Sequence, residues 1–177
     1  MSIPVRNADP THVIAGQRTF FVTSSTSGKT ALLQSTRAAT LLIDVLYHYR
    51  QQQEYLLHEF VIMPDHFHLL ITVGTGITVE RALQLIKGGF AFRAGRELAF
   101  HPPVWQKGFS EVRVHDRDAL LRMREYIHAN PVKRFLVEAS ADYSYSSAHA
   151  KFELDPPPQR LKAIEECDPV GIAKAMP

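Results

Sequence analysis

The spacing at which apolar residues recur changes several times along the chain, and each change predicts a new strand or helix. Residues 18–26 (RTFFVTSST) are rich in β-forming side chains that alternate between two faces, which predicts a first strand. From 30 to about 49 the apolar residues recur at the spacing of an amphipathic helix. Residues 54–63 and 66–73 predict two more strands, and the Pro64-Asp65 pair between them predicts a tight turn that makes them a hairpin.

The second half of the chain predicts a helix, then a strand, then a further helix. Thr78 is a candidate N-cap for a helix that runs to about Leu98, and the interior pair Gly88-Gly89 either breaks this helix or lets another segment approach closely. Residues 101–115 begin with prolines and continue as a β-like stretch. Asp116 is expected to cap a helix over 117–130, which the proline at 131 is expected to end.

The predicted order is strand, helix, strand, strand, helix, strand, then a further helix. This order predicts an α+β protein with a ferredoxin-like β-α-β-β-α-β antiparallel sheet and an added C-terminal helix. Two helices would cover one face of the sheet, and the other face would be free to carry a site. We expect residues 1–153 to form a single domain and residues 154–177, which begin with LDPPPQR, to form a proline-led tail.

Composition narrows the class of protein without identifying it. A chain of 177 residues with 45% hydrophobic residues suits one globular domain. No run approaches the roughly 20 apolar residues of a membrane span, and no secretory leader is evident, so we expect no membrane partner and a cytoplasmic location. Cys167 is the only cysteine, which excludes an internal disulfide and cysteine-based zinc knuckles.

The charge is unevenly distributed although the whole chain carries only +2. Residues 81–134 contain 11 basic and five acidic residues, a net charge of +6, whereas the remainder carries −4. Such a segment can present a basic surface to phosphates. Charge alone favours the plainer interpretation, a set of solvated helix faces.

The sequence MPDHFHLL places two histidines two residues apart at the start of the third strand. On a strand, residues 67, 69, 71 and 73 point to one face and form an apolar stripe, so His66 and His68 share the opposite face. Two neighbouring imidazoles can both bind one metal ion, although a third ligand must come from elsewhere. The alternative is a pair of half-exposed strand histidines without a ligand. Asp65 is interpreted as a turn residue rather than a partner of the metal site.

The helix over 117–130 places Arg122, Tyr126 and Asn130 four residues apart on one face. A tyrosine hydroxyl has a pKa near 10, so it becomes a useful nucleophile only where a metal or cations stabilise the phenolate. Asn130 could give a carbonyl oxygen to that metal, and Arg122 could bind a phosphate. The alternative is an ordinary helix tyrosine at a packing boundary.

Four segments together resemble the single-tyrosine HUH transposases of bacterial insertion sequences, and most of all the REP-associated tyrosine transposases. They are FVIMPDHFHLLITV (60–73), VWQKGF (104–109), YIHANPVK (126–133) and the weaker DYSYSSA (142–148). The resemblance spans most of the chain, from about residue 18 to about residue 150. It implies a ferredoxin-like fold with the nucleophile on the added helix.

The resemblance also implies an activity and a set of site residues. The chain would cleave and rejoin single-stranded DNA near a hairpin through a 5′-phosphotyrosine. Tyr126 would be the nucleophile, and His66, His68 and Asn130 would hold Mg²⁺ or Mn²⁺. The expected DNA-binding residues are Lys87, Arg122, Trp105 and Lys133. Phe109 and Phe92 are further stacking candidates, but a core position is favoured for Phe92 and is an even alternative for Trp105.

Two other functions stay open at this point. One is a non-catalytic DNA-binding protein that keeps the fold, and the other is a metal-dependent hydrolase that uses water. The chain could act as a monomer or as a homodimer that exchanges the tyrosine helix.

Overall fold

The computed structural model describes residues 16–158 and residue 161. The elements in chain order are β1 (Arg18–Ser25), α1 (Thr36–Gln51), β2 (Leu56–Ile62), β3 (His66–Val73), α2 (Val79–Glu97), β4 (Ser110–Val114) and α3 (Arg117–Lys133), with 3-10 turns at Ser27–Lys29 and Ser140–Asp142. None of the helices in this part of the chain combines the length and apolar character that crossing a bilayer requires. The predictions for residues 1–15 and for most of the tail lie outside the described residues.

The four strands form one antiparallel sheet in the order β2-β3-β1-β4. β1 and β2 run in the same direction with β3 between them, which is the split β-α-β arrangement of a ferredoxin-like fold. The predicted fold is therefore confirmed.

The two faces of the sheet are covered differently. α1 and α2 pack on one face around Phe20, Phe67 and Leu69, which belong to the larger apolar core. α3 packs on the other face, where a smaller core includes Leu70 and Ile127. The second face is thus only partly open, because the helix that carries Tyr126 lies across it.

Two helix boundaries differ from the prediction. α1 begins at Thr36, not near residue 30, because Ser35 caps it by accepting a hydrogen bond from the Ala38 amide. α3 continues past Pro131 to Lys133. A proline removes one amide donor, but the helix still closes one turn later, where the Arg134 amide donates to the Asn130 carbonyl at 3.1 Å.

The glycine pair in α2 does not break the helix. A Cβ on Gly89 would lie 3.0 Å from both Cε2 and the hydroxyl oxygen of Tyr49 on α1, whereas a Cβ on Gly88 would meet nothing within 4 Å. Gly89 therefore permits the close approach of α1 and α2, and Gly88 has no such role.

The outer edge of β2 is covered by the end of the described chain. The amides of Ile62, Ser147 and Asp155 donate to the carbonyls of Tyr145, Phe60 and Leu57, respectively, each at 2.9 Å. Asp155 also forms a 2.8 Å ion pair with Arg50 on α1. Asp155 therefore packs against both β2 and α1, while the domain boundary at residue 153 stays a prediction.

Candidate active site

The two strand histidines lie on the α3 side of the sheet, as predicted. His66 and His68 are 8% and 4% exposed, and their ring centroids are 4.8 Å apart. The strand pairing places His66 opposite Ser25 and His68 opposite Thr23 on β1. Both imidazoles are thus held on a rigid central strand.

Each imidazole has its Nδ1 occupied by a neighbouring oxygen. His66 Nδ1 donates to Asp65 Oδ1 at 2.6 Å, and His68 Nδ1 shares a 2.7 Å hydrogen bond with Thr23 Oγ1. Asp65 is therefore more than a turn residue, because it orients His66. His68 Nε2 is buried and has no hydrogen-bond partner among the described residues. Oriented imidazoles with Nε2 left over are typical of metal ligands.

The electrostatic surroundings keep His68 neutral. Burial, with smaller contributions from His66 and Arg134, lowers the pKa of His68 to about 3. The imidazole thus keeps a lone pair for a metal at neutral pH. Burial acts to raise the pKa of Asp65, but its hydrogen bond to His66 and the charge of Arg134 outweigh burial and lower that pKa.

α3 places Tyr126 directly against the histidine pair. The Tyr126 ring lies edge-on to His68 with centroids 5.2 Å apart, and edge-on to Phe21 at 5.7 Å. The residue is 42% exposed. Lys133 Nζ lies 5.5 Å from the centroid of the same ring. The structure therefore brings together the histidines, the tyrosine and one of the predicted cations.

The remaining predicted residues of α3 lie one turn away in each direction. Asn130 is 7% exposed and, four residues after Tyr126, projects from the same side of the helix. Arg122 is exposed one turn earlier. In the described part of the chain no group of three or more His, Cys, Asp or Glu side chains could hold a metal. The residues that could hold a metal here are His66, His68 and Asn130, and two imidazole nitrogens with an amide oxygen form a donor set that suits Mn²⁺ well and Mg²⁺ acceptably.

Lys87 and Trp105 are engaged in packing. Lys87 Nζ donates to the carbonyls of Gln106 and Gly108 at 3.0 and 2.7 Å, and burial lowers its pKa. The Trp105 indole donates to the Lys87 carbonyl at 2.9 Å, and its ring packs against two core phenylalanines. This geometry gives both residues a structural role in holding the 104–109 segment and does not support base stacking by Trp105.

The exposure of Phe92 is the reverse of the prediction. Phe92 is 65% exposed on the outer side of α2, and Arg96 lies 5.5 Å from its ring centroid. The glycines and alanines around it gave the sequence pattern no clear buried stripe, so periodicity could not locate this side chain.

A buried carboxylate that the sequence analysis did not select joins α3 to the sheet. Glu59 on β2 forms a 2.9 Å ion pair with Arg124 and accepts hydrogen bonds from His128 at 2.7 Å and Ser147 at 2.6 Å. We call Glu59, Arg124, His128 and Ser147 the Glu59 cluster. Its partners are 65 or more residues apart from Glu59 in the sequence, and the strand register shifts between Leu57 and Glu59. Alternation along β2 therefore gave no signal for it.

The chain matches known proteins in sequence. A family model described as "Transposase IS200 like" matches residues 21–130. The name of a Haemophilus influenzae relative assigns it to the REP-associated tyrosine transposases, and that protein is 32% identical over 114 residues. The alignment covers 57% of this chain and 65% of the relative, so the chain spans a little less than two thirds of that protein.

Two solved structures share the fold. A REP-associated tyrosine transposase bound to a REP hairpin superposes with a TM-score of 0.66 at 20% identity, over 90% of this chain and 95% of that one. A transposase from Deinococcus radiodurans superposes with a TM-score of 0.50 at 17% identity, over 68% and 95% of the two chains. The family match covers β2, β3, β4 and most of β1, together with both histidines, Tyr126 and Asn130. The resemblance seen in the sequence is therefore confirmed: this chain belongs to the IS200-like transposase family.

Proposed function

We propose that this chain cleaves and rejoins single-stranded DNA beside a hairpin, with Tyr126 as the nucleophile. The observation that carries the proposal is the contact between the Tyr126 ring and His68, whose buried Nε2 has no partner among the described residues. The proposed nucleophile and a candidate metal ligand are thus adjacent on the face of the sheet opposite the larger core. Membership of the transposase family, and the hairpin bound to a structural relative, support the choice of substrate.

We assign Mg²⁺ or Mn²⁺ to the Nε2 atoms of His66 and His68 and to the amide oxygen of Asn130. The hydrogen bonds that Asp65 and Thr23 make to the two Nδ1 atoms support this assignment, because they leave Nε2 as the free nitrogen of each ring. When bound, the ion would polarise the scissile phosphate and stabilise negative charge on it.

The residues of the chain then account for the covalent step. The Tyr126 hydroxyl loses its proton and attacks phosphorus, the bond from phosphorus to the 3′ oxygen breaks, and the 3′ oxygen takes up a proton. The products are a 5′-phosphotyrosine and a free 3′ hydroxyl. The phosphotyrosine is still an ester, so a second 3′ hydroxyl can displace Tyr126 and rejoin the strand without another energy source.

In the proposal, cationic side chains on α3 before and after Tyr126 contact the phosphates of the DNA. Lys133 and Arg134 follow Tyr126 by two helical turns, and Arg122 precedes it by one. Exposed arginine and lysine side chains along one strip suit the backbone of an unpaired strand. The contact between Tyr126 and His68 of the same chain supports a reaction within one protomer, and a homodimer that exchanges the tyrosine helix stays the alternative.

The test is formation of a covalent adduct. The full chain is incubated with Mn²⁺ and a set of hairpin oligonucleotides with single-stranded 5′ extensions, and the products are run on a denaturing gel. We expect a protein–DNA adduct that disappears in Tyr126→Phe, in His66→Ala and with EDTA. Tyr47→Phe is the matched control, because the Tyr47 hydroxyl is used for a hydrogen bond to the Glu153 carbonyl away from the site.

Other outcomes would select a different function. Cleavage without an adduct that survives Tyr126→Phe would indicate a hydrolase that uses water. Hairpin binding without cleavage across the whole set would indicate a DNA-binding protein that has kept the fold.

A further inference from the structure

The chain leaves α3 through a turn that normally contains glycine. The Leu136 amide donates to the Pro131 carbonyl and the Phe135 amide donates to the Val132 carbonyl, both at 2.9 Å. This pair of hydrogen bonds is the Schellman motif, in which the residue after the C-cap is left-handed. That residue is Phe135, with φ of 56°. Glycine is the usual choice there because it has no Cβ to be crowded by the backbone.

Neither the backbone nor packing explains a phenylalanine at this position. A left-handed conformation is unfavourable for a residue with a Cβ, so phenylalanine is a worse choice for the turn than glycine. Its side chain is 95% exposed, the highest value among the large apolar side chains of the described residues that lie at the surface. The ring therefore buries almost nothing in return for the strained backbone.

The surroundings of Phe135 belong to the candidate active site. Lys133, two residues earlier, places Nζ 5.5 Å from the centroid of the Tyr126 ring. Arg134, the residue directly before it, is exposed. The turn thus carries an exposed aromatic ring that directly follows two cations in the chain, one of which contacts the Tyr126 ring.

We propose that Phe135 is a stacking platform for an unpaired nucleobase next to the phosphate that Tyr126 would attack. This inference rests on the proposed function, because it needs single-stranded DNA at the site. An aromatic face beside positive charges is the arrangement that binds unpaired strands, since the ring stacks on a base and the cations contact the phosphates. The Schellman hydrogen bonds fix the backbone that carries the ring before DNA arrives, which reduces the backbone entropy lost on binding.

The test uses one substitution with opposite expected effects on folding and on binding. Phe135→Gly relieves the left-handed strain, so its melting temperature should equal or exceed that of the parent chain. The same variant should bind a fluorescent, unpaired oligonucleotide roughly 5- to 150-fold more weakly in EDTA buffer, which is the range for loss of one base–aromatic stack. Phe135→Trp should keep the affinity.

Phe92→Ala is the matched control. Phe92 is also exposed and also lies beside an arginine, but it is on α2, on the other side of the sheet. Its removal should leave affinity for the oligonucleotide unchanged. An equal loss of affinity in both variants would overturn the inference, because it would indicate non-specific attraction to exposed rings.

Two further results would overturn the inference without touching the proposed function. One is unchanged affinity of Phe135→Gly in a chain that still forms the Tyr126 adduct. The other is a lower melting temperature in Phe135→Gly, which would show that the ring serves the fold. If the parent chain bound no unpaired DNA and formed no adduct, the proposed function itself would have failed.

Discussion

Replacing Glu59 with alanine should both destabilise the protein and slow the reaction proposed for Tyr126. Glu59 lies on β2, and the helix that it contacts carries the tyrosine. Successive helix residues are about 100° apart, so residues two apart lie on nearly opposite flanks. Arg124 and His128 contact Glu59 on one flank of α3, whereas Tyr126 contacts His68 on the other. The Glu59 cluster therefore limits rotation of α3 about its axis.

The size of the effect follows from the exposure of each partner. The Glu59 side chain is 9% exposed, but Arg124 is 52% exposed, so their ion pair contributes only about 0–1 kcal/mol. His128 is 22% exposed, and the hydrogen bonds from His128 and Ser147 to a charged carboxylate contribute about 1.5–3 kcal/mol each. These terms share one carboxylate and are not additive, so we expect a loss of about 3 kcal/mol.

The assay combines unfolding with adduct formation. For a domain of this size a loss of about 3 kcal/mol lowers the melting temperature by roughly 6–12 °C. At a temperature where both chains are folded, misplacement of Tyr126 by about 1 Å should slow adduct formation by up to about 100-fold. Glu97→Ala, which removes an exposed ion pair with Arg93, is the control and should change neither quantity appreciably.

A double-mutant cycle measures the interaction energy of Glu59 with His128 separately from their contacts with other residues. If Glu59 and His128 act through their hydrogen bond, His128→Ala should cost much less in the Glu59→Ala background than in the parent chain. The reasoning would be refuted if Glu59→Ala were destabilised as expected but formed the adduct at the parent rate. The cluster would then serve the fold without positioning the tyrosine.

Three further substitutions test other parts of the structure. Gly89→Ala should lower the free energy of unfolding by about 1–3 kcal/mol, because the new methyl group clashes with a tyrosine side chain of α1. Gly88→Ala should raise the free energy of unfolding by up to about 1 kcal/mol, because alanine favours the helix and meets no neighbour. Urea unfolding of the two variants checks these opposite signs. The pKa of Asp155 is lowered mainly by the hydrogen bond from its arginine partner. This pair therefore stabilises the fold at pH values above the ordinary carboxyl pKa of about 4, and the stabilisation is lost as the pH falls below that value. Asp155→Asn should flatten the dependence of the unfolding free energy on pH in that acidic window. Lys87→Met should lower the melting temperature, because two carbonyls of the 106–108 turn lose their donor, while affinity for unpaired DNA should change little; a large loss of affinity without loss of stability would instead support phosphate binding by this residue.

The side chains proposed to carry the chemistry could be predicted from the sequence, because their spacing follows the period of a single strand or a single helix. His66 and His68 share a face by the two-residue period of a strand, and Tyr126 and Asn130 share a side by the four-residue period of a helix. Each relation needs only local structure. The resemblance to the family then joined the two segments, which local periods alone could not do.

The residues that orient the site depend on contacts between distant segments, which local periods do not encode. Thr23 reaches His68 only because β1 pairs with β3 in one register, and Glu59 reaches His128 only because α3 crosses β2. Phe92 was misjudged, and Trp105 was left with two even alternatives, for a related reason. The burial of an aromatic ring depends on which element lies over it, and a proline-rich loop or a glycine-containing helix does not show that in its pattern.

The covered edge of β2 has a consequence for how the chain is made. An uncovered strand edge is a template for pairing with other chains, which leads to aggregation. Here the amides and carbonyls of that edge are occupied by residues 145–147 and by Asp155, which are synthesised last among the described segments that build the sheet. During synthesis the sheet therefore stays open along β2 until this segment has left the ribosome. A messenger truncated before codon 145 would yield a chain with every predicted catalytic residue and an unprotected edge, and we expect such a product to aggregate.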